Sequence, residues 1–337
     1  MRQGLFNLKA SQYAASIIGT GSYVPDTVIS NSYLEEIVDT SDKWIVSRTG
    51  IKERRKVLDE IATSDIATKA AIQALNDANL DPIELDMIIV ATVTPDMAFP
   101  STACLVQKSI GAINATAFDI EAACSGFIYC LSIAEQFIKS GSANNILVIG
   151  AEVLSKITDY KDRNTCILFG DGASAAIVSK SKGYQILSTY LGSDGNGCDL
   201  LYLPAGGSRN PASIETINKS MHYIKMEGSE VFKFAVRIME TATEKALELC
   251  NLNKSDIDYL IPHQANIRII ENAMKRLDLT EDKVFVNVDK YGNMSAASIA
   301  VALDETNKMK RLSNGDNVVL VAFGGGLTWA SSVIRWL

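Results

Sequence analysis

Apolar positions along this chain come in short unbroken runs separated by longer stretches with helical spacing. Residues 87–93, 146–151 and 318–323 are aliphatic runs bounded by polar residues, the pattern of strands buried on both faces. Segments 16–19, 117–120, 173–178, 185–191, 259–261, 284–288 and 328–336 also read as strands. The spacing predicts helices over 31–38, 64–78, 231–249, 267–277 and 295–303, and another from Thr102, with Ser64 capping the second. Between 125 and 138, Phe127, Ile128, Cys130, Leu131, Ile133, Ala134, Phe137 and Ile138 cover nearly the whole helical wheel. That predicts a helix buried on all sides and stopped by Gly141. Residues 40–56 are polar and charged, and 94–100 and the glycine-rich 192–208 read as loops. Residues 1–12 carry no pattern and read as a frayed extension or a tag.

Strands and helices alternate twice, and the second round repeats the first. A shift of 172 residues carries Ala74-Leu75, Leu80 and Leu85-Asp86 onto Ala246-Leu247, Leu252 and Ile257-Asp258. The same shift of 172 carries Asn145-Ile146-Leu147-Val148 onto Asn317-Val318-Val319-Leu320. Two matches at one shift predict a duplicated chain: an extension over 1–13, one α/β half over 14–182 and a second over 183–337. Each half is expected to hold a mostly parallel sheet, with the pair packed about a pseudo-twofold axis.

Composition narrows the classes. The 337 residues are 47% hydrophobic and 21% charged, enough for a large buried core. A net charge of −7 argues against general binding to nucleic acid or an anionic membrane. Six scattered cysteines without a CxxC pair, no signal peptide and no membrane-spanning run predict a reduced, cytoplasmic protein. Two histidines and this cysteine spacing do not suggest a zinc site, and no metal is expected.

Cys124 falls at the turn from strand 117–120 into the buried helix, where unpaired amides and the helix dipole favour thiolate. Its neighbours Ala122, Ala123, Ser125 and Gly126 are small and leave access to the sulfur. On position alone it serves equally as a nucleophile or as a small core residue. The shift of 172 carries this turn onto the stretch holding Asn293, and the end of strand 87–93 onto His263. Cys124, His263 and Asn293 therefore all lie at strand ends or helix starts around one axis, where open α/β sheets bind ligands. Taken singly, His263 also reads as structural, and Asn293 as a turn residue or cap.

Several motifs then point the same way: GTGSYVP (19–25), TSDKWIVSRTGIKER (40–54), DIEAACSGF (119–127), FGDGA (169–173), PHQANIRI (262–269), YGNMSAAS (291–298) and AFGGGLTW (322–329). From about Ala14 to the C-terminus the chain resembles β-ketoacyl-acyl-carrier-protein synthase III, the initiating condensing enzyme of bacterial (type II) fatty-acid synthesis, within the thiolase superfamily. The resemblance implies a thiolase-like duplicated fold, with pseudo-symmetric halves in αβαβα layers. It implies that Cys124 takes a short acyl group, acetyl by default, from acyl-CoA. The amides of Cys124 and Gly325 would form the oxyanion hole. His263 and Asn293 would hold the enolate left when malonyl-carrier protein loses carbon dioxide. Thr40, Trp44, Arg48, Arg163, Gly228, Phe232 and Asn266 match positions that meet coenzyme A, a substrate here and not a resident cofactor. Phe99, Phe169 and Phe323 match the acyl pocket, with Phe99 crossing a homodimer interface. Carrier docking is implied at Gln264, Ala265, Asn266, Ile267 and Arg268. Lys275 and Arg276 add positive charge on the same helix, which would offset repulsion between two acidic proteins. Otherwise these side chains are an ordinary solvated helix face.

Three rivals follow from the same residues. A superfamily relative could condense onto another acceptor, in secondary metabolism or ketone formation. A Cys/His/Asn hydrolase is the second, though the local signature of papain-like proteases is absent. A non-catalytic partner subunit is the third, but such subunits lack the cysteine that this chain has.

Overall fold

The computed structural model describes residues 13–181 and 185–336. The expected extension over 1–12 and the expected boundary between halves at 182/183 fall outside the described residues.

The first half forms a five-stranded sheet from β1 (Ala14–Tyr23), β2 (Met87–Ala91), β3 (Thr116–Ile120), β4 (Asn145–Val153) and β5 (Asp171–Ser181), ordered β1-β5-β4-β2-β3. The second forms a four-stranded sheet from β6 (Ile186–Ser193), β7 (Tyr259–Pro262), β8 (Asn317–Gly324) and β9 (Thr328–Arg335), ordered β6-β9-β8-β7. The shift of 172 carries the starts of β1, β2 and β4 onto those of β6, β7 and β8, and β5 and β9 hold matching places in the two orders at a different shift, while β3 has no counterpart strand in the second sheet.

Two sequence expectations are corrected here. Neither sheet is mostly parallel. β2 runs parallel to β3 and β4, and β7 parallel to β8, but β5 and β9 are each antiparallel to both neighbours. The turn from β8 to β9 is too short for a crossover and can only make a hairpin. The strand expected over 284–288 is also reduced to a single bridge between Val284 and Leu260. The buried Gln264 side chain takes the next amides instead: its Oε1 accepts from Asn287 N at 2.9 Å and Val288 N at 3.2 Å. The chain then turns helical over Val288–Tyr291.

Among the described residues seven helices run eight residues or longer: α1 (Asp42–Thr49), α2 (Thr63–Ala78), α3 (Thr102–Ile110), α4 (Gly126–Lys139), α5 (Gly228–Leu249), α6 (Ile267–Leu277) and α7 (Ala296–Lys308). Ser64 does not cap α2. It lies inside the first turn, and its amide and hydroxyl bond Asp96 at 2.8 and 2.7 Å, which fastens the loop after β2.

Alternation along each strand sets the layers. Ile89, Val148 and Leu320 face a core shared with α4 and α7, between the sheets. Ile88, Val90 and Leu147 face α2 and α3 outside the first sheet. Val319 and Val321 face α5 and α6 outside the second. The result is the αβαβα stack, with α4 and α7 in the middle layer. α4 is buried along most of its length; Phe137, in its last turn, reaches solvent. The starts of α4 and α7 lie near the strand ends that carry the candidate residues.

Candidate active site

β3 ends at Ile120, and the chain must then reverse into α4 within a few residues. It does so through Ala123, whose φ of 45° lies in the left-handed region, and a 3₁₀ turn over Ala123–Ser125. Glu121 Oε1 accepts from Ala123 N at 3.1 Å, and Thr328 Oγ1 donates to Ala122 O at 2.9 Å. Gly324 closes against the same turn. A Cβ there would sit 2.6 Å from Cys124 N, so only glycine lets β8 come this near.

The second half builds the same turn. Ser295 has φ 46°, and Asn293 Oδ1 accepts from Ser295 N at 2.8 Å. That bond fixes which end of the carboxamide points where and leaves Nδ2 for the cavity. Asn293 is held on both sides, donating its amide to Leu168 O at 2.8 Å and accepting from Gly170 N at 3.0 Å. His263 follows β7, with its amide on Val321 O at 2.8 Å. Its ring is fully buried and meets Phe323 edge-on at 5.5 Å, with no hydrogen-bond partner on either nitrogen among the described residues.

Cys124, His263 and Asn293 line one narrow cavity of about 90 Å³, together with Gly228, Phe232, Asn266, Phe169 and Phe323. Cys124 also opens onto a second cavity of about 900 Å³ on its other side, lined by Gly325, Phe169, Leu201 and Phe99. The sulfur thus stands between a narrow approach and a wide, mostly apolar chamber. Gly325 also borders that chamber.

The expected thiolate is not what this turn stabilises at rest. Burial pushes the Cys124 thiol up to about 12, and the Ser295 hydroxyl nearby offsets part of that rise. The α-helix proper starts only at Gly126, and desolvation outweighs its dipole. Burial also drives His263 down to about 3. At neutral pH the pair is therefore thiol and neutral imidazole, not an ion pair. A neutral ring keeps one N–H and one lone pair, so it can take a proton in one step and donate a hydrogen bond in another.

The remaining sequence candidates divide by position. Trp44 and Arg163 stack at the surface, the guanidinium 5.0 Å from the ring centroid, with Arg163 Nη1 on Asp39 O at 2.8 Å. Thr40 and Arg48 lie beside them and outside both cavities. Arg48 is joined to the narrow one through its carbonyl, which accepts from Asn266 Nδ2 at 3.0 Å. Phe323 backs His263 in the narrow cavity, whereas Phe169 borders both cavities and Phe99 the wide one. Phe99 is 85% exposed on the rim.

On the expected docking face, Gln264 is wrong: it is fully buried and spends its amide on Pro262, Phe285, Asn287 and Val288. Ala265, Asn266 and Ile267 are half-buried, whereas Arg268, Lys275 and Arg276 are exposed. Arg268 lies over the Phe232 ring at 5.2 Å, beside the narrow cavity. Arg276 is taken up by Glu240 at 2.8 Å.

Two site residues escaped the sequence reading. Ser295 stands where the repeat puts the partner of Ala123. Glu152 is fully buried at the end of β4. It accepts from Thr94 Oγ1 at 2.8 Å and Val93 N at 3.1 Å, and burial raises it to about 7. A carboxylate closing an aliphatic strand was the available signal.

Known proteins share this arrangement. Residues 118–195 match the family model of 3-oxoacyl-[acyl-carrier-protein (ACP)] synthase III, and residues 247–336 match that of its C-terminal part. The β-ketoacyl-[acyl-carrier-protein] synthase III of Caldanaerobacter subterraneus subsp. tengcongensis is 63% identical over 324 residues, 96% of this chain and 98% of the relative. A crystal structure of 3-oxoacyl-[acyl-carrier-protein] synthase III from Aquifex aeolicus VF5 has TM-score 0.89 and 49% identity, covering 96% of this chain and 100% of that one. The priming β-ketosynthase of the R1128 polyketide pathway fits with TM-score 0.89, but its identity is 33%, over 96% of this chain and 97% of that one. Identity over nearly the full length, on a backbone that sets a cysteine between two cavities, places this chain in the 3-oxoacyl-[acyl-carrier-protein] synthase III family of condensing acyltransferases with the thiolase-like fold.

Proposed function

We propose that Cys124 is the acyl carrier of a two-stage condensation. In the first stage Sγ attacks the carbonyl carbon of an acyl-CoA thioester. The new C–S bond forms as the bond to coenzyme A breaks, and the thiol proton passes through His263 to the leaving sulfur. Burial disfavours both the thiolate and the imidazolium, so in this reading proton transfer accompanies attack. Amides of Cys124 and Gly325 take the oxyanion. In the second stage a malonyl thioester on the carrier protein loses carbon dioxide, and its electron pair forms an enolate. The neutral His263 ring and Asn293 Nδ2 donate to that oxygen. The carbanion then attacks the acyl carbon, the C–S bond to Cys124 breaks as the C–C bond forms, and the departing thiolate takes up one proton from solvent by way of His263 to restore the thiol. No cofactor beyond the thioester substrates is needed.

The single observation behind this reading is that Cys124 borders both cavities while His263 and Asn293 border only one. Thioesters arrive along the narrow side past Phe232 and Asn266, with Trp44 and Arg163 outside for the nucleotide of coenzyme A. The acyl chain points into the wide chamber, which a second copy of the chain covers at the exposed Phe99. Arg268 and Lys275 supply the positive face for an acidic carrier protein. Six free cysteines suit a reducing cytoplasm; no helix among the described residues is long and apolar enough to cross a membrane.

The test is intact-protein mass spectrometry after acetyl-CoA, followed by malonyl-carrier protein or malonyl-CoA. The expected result is one acetyl group on Cys124 that disappears only with the carrier-bound donor. Discharge only by free malonyl-CoA would reject the carrier assignment, and thioester loss without a C–C bond would favour hydrolysis.

A further inference from the structure

Arg54 is a buried cation that the chemistry above does not use. It lies in the short strand Glu53–Lys56 and is 1% exposed. Its acceptors are neutral. Nη1 donates to Asn31 Oδ1 at 2.8 Å and Ile29 O at 3.2 Å, and Nη2 to Ile167 O at 2.5 Å. Nε has no partner among the described residues. Such a charge is costly, and burial lowers it to about 10.

What it joins explains the cost. Ile167 begins the segment that grips Asn293 through Leu168 O and Gly170 N, at 2.8 and 3.0 Å. The Arg54 stem lies under the same joint. A Cβ on Gly170 would come 3.2 Å from Arg54 Cβ, and one on Gly292 would come 3.3 Å from it. On its other side, Asn31 Nδ2 donates to Asp42 Oδ1 at 2.8 Å and Ile51 O at 2.9 Å. Asp42 opens α1, which carries Trp44 and Arg48. One forked guanidinium therefore spans from the surface helix to the backbone that aims the carboxamide.

We propose that Arg54 is a positioning residue that sets Asn293 for decarboxylation and ties it to α1. This rests on the reading of Asn293 as an enolate donor. A planar fork reaches Asn31 and Ile167 together; a lysine has one nitrogen and cannot. Displacement of a donor by about 1 Å costs up to ~100-fold in rate.

The experiment measures the two half-reactions separately in the full chain: acetyl transfer to Cys124, and carbon dioxide release from malonyl-carrier protein on acetylated enzyme. R54M is expected to slow release by roughly tenfold to a hundredfold, with acetyl transfer within about threefold. R54K, which keeps the charge but not the fork, is expected to stay impaired. N31A cuts the link to α1 and is expected to raise KM for acyl-CoA severalfold without slowing release. A proportional fall of both half-reactions in R54M, or full activity in R54K, overturns the proposal. Should R54M fail to fold, a wild-type ratio of half-reactions in R54K does so. N293A, run alongside, separates the failures: normal release there removes the donor role itself.

Discussion

The turn at Ala123 and the turn at Ser295 match under the shift of 172, yet only the first is followed by a cysteine. Both place a non-glycine residue at positive φ, 45° and 46°, and both tie that residue's amide to the side chain two positions earlier. In the first turn that side chain is Glu121, exposed on the wide cavity; in the second it is Asn293, 8% exposed in the narrow one. Cys124 corresponds to Ala296, and His263 to Ala91. Each half thus carries alanine where the other carries the residue proposed for chemistry. A duplicated backbone presents two strand ends and two helix starts to one axis, and side-chain choice divides the labour between them. The same geometry strains both turns, because left-handed φ costs an L-residue about 1–2 kcal/mol. The strain alone therefore does not mark the nucleophile.

The harshest break of this comparison is Cys124→Ala. It is expected to leave the fold intact, abolish the acyl adduct and lower condensation by about three orders of magnitude or more. Adding Ala296→Cys should not restore the adduct, since Ala296 is fully buried and its carbonyl lies 2.4 Å from the Cβ that Gly150 lacks. An acyl group found at position 296 by mass spectrometry of that double variant would show the turns to be interchangeable.

Next in size is the paired test of the two turn side chains. Asn293→Ala should slow decarboxylation about a hundredfold and spare acyl transfer, the usual loss for one oxyanion donor. Glu121→Ala removes the matching bond and should change either half-reaction by no more than about threefold. Equal losses would mean that the turn bond matters and the amide donor does not.

Stability against pH sharpens the contrast between the buried groups around the two turns. Glu152 is raised from 4.5 to about 7, so the folded protein keeps that proton longer than the unfolded chain. Its contribution is fully present below 4.5 and is lost as pH rises through 7. His263 is lowered from 6.5 to about 3, so stability falls in the opposite direction, as pH drops below 6.5. Each acts at up to roughly 1.4 kcal/mol per pH unit within its window. The advantage of Glu152→Gln over wild type in urea melts should therefore grow between pH 5 and 7. A constant difference would show that Glu152 is ionised throughout.

The smallest expected effect belongs to Ala123→Gly. Relief of the left-handed φ and the extra entropy of glycine nearly cancel, leaving a stability change under about 1 kcal/mol. A loss above about 2 kcal/mol by thermal melting would show that the Ala123 methyl packing on Gly324 outweighs the backbone strain.

Much of this site was legible beforehand because its parts sit at element boundaries. Cys124, His263 and Asn293 each follow a recognisable apolar strand or precede a recognisable helix, and the repeat relates their positions. Gln264 and the expected strand over 284–288 were misread for one shared reason. A polar side chain next to a site looks like surface in one dimension, whereas here it turns inward and takes the amides that a strand would have paired. Ser64 was misread similarly, its amide and hydroxyl being claimed by Asp96 from a distant loop.

Local pattern by itself marked most strands and their order along the chain and the repeat at one shift, since periodicity and chain-neighbour propensities are written in sequence. The roles expected of Cys124, His263 and Asn293 came from the motifs' resemblance to a family, not from periodicity. Only tertiary structure decided how acidic Cys124 is, which way the Asn293 amide points, and what Arg54 and Glu152 touch. Those properties depend on desolvation and on partners far away in the chain, and neither has a signature in the neighbouring residues.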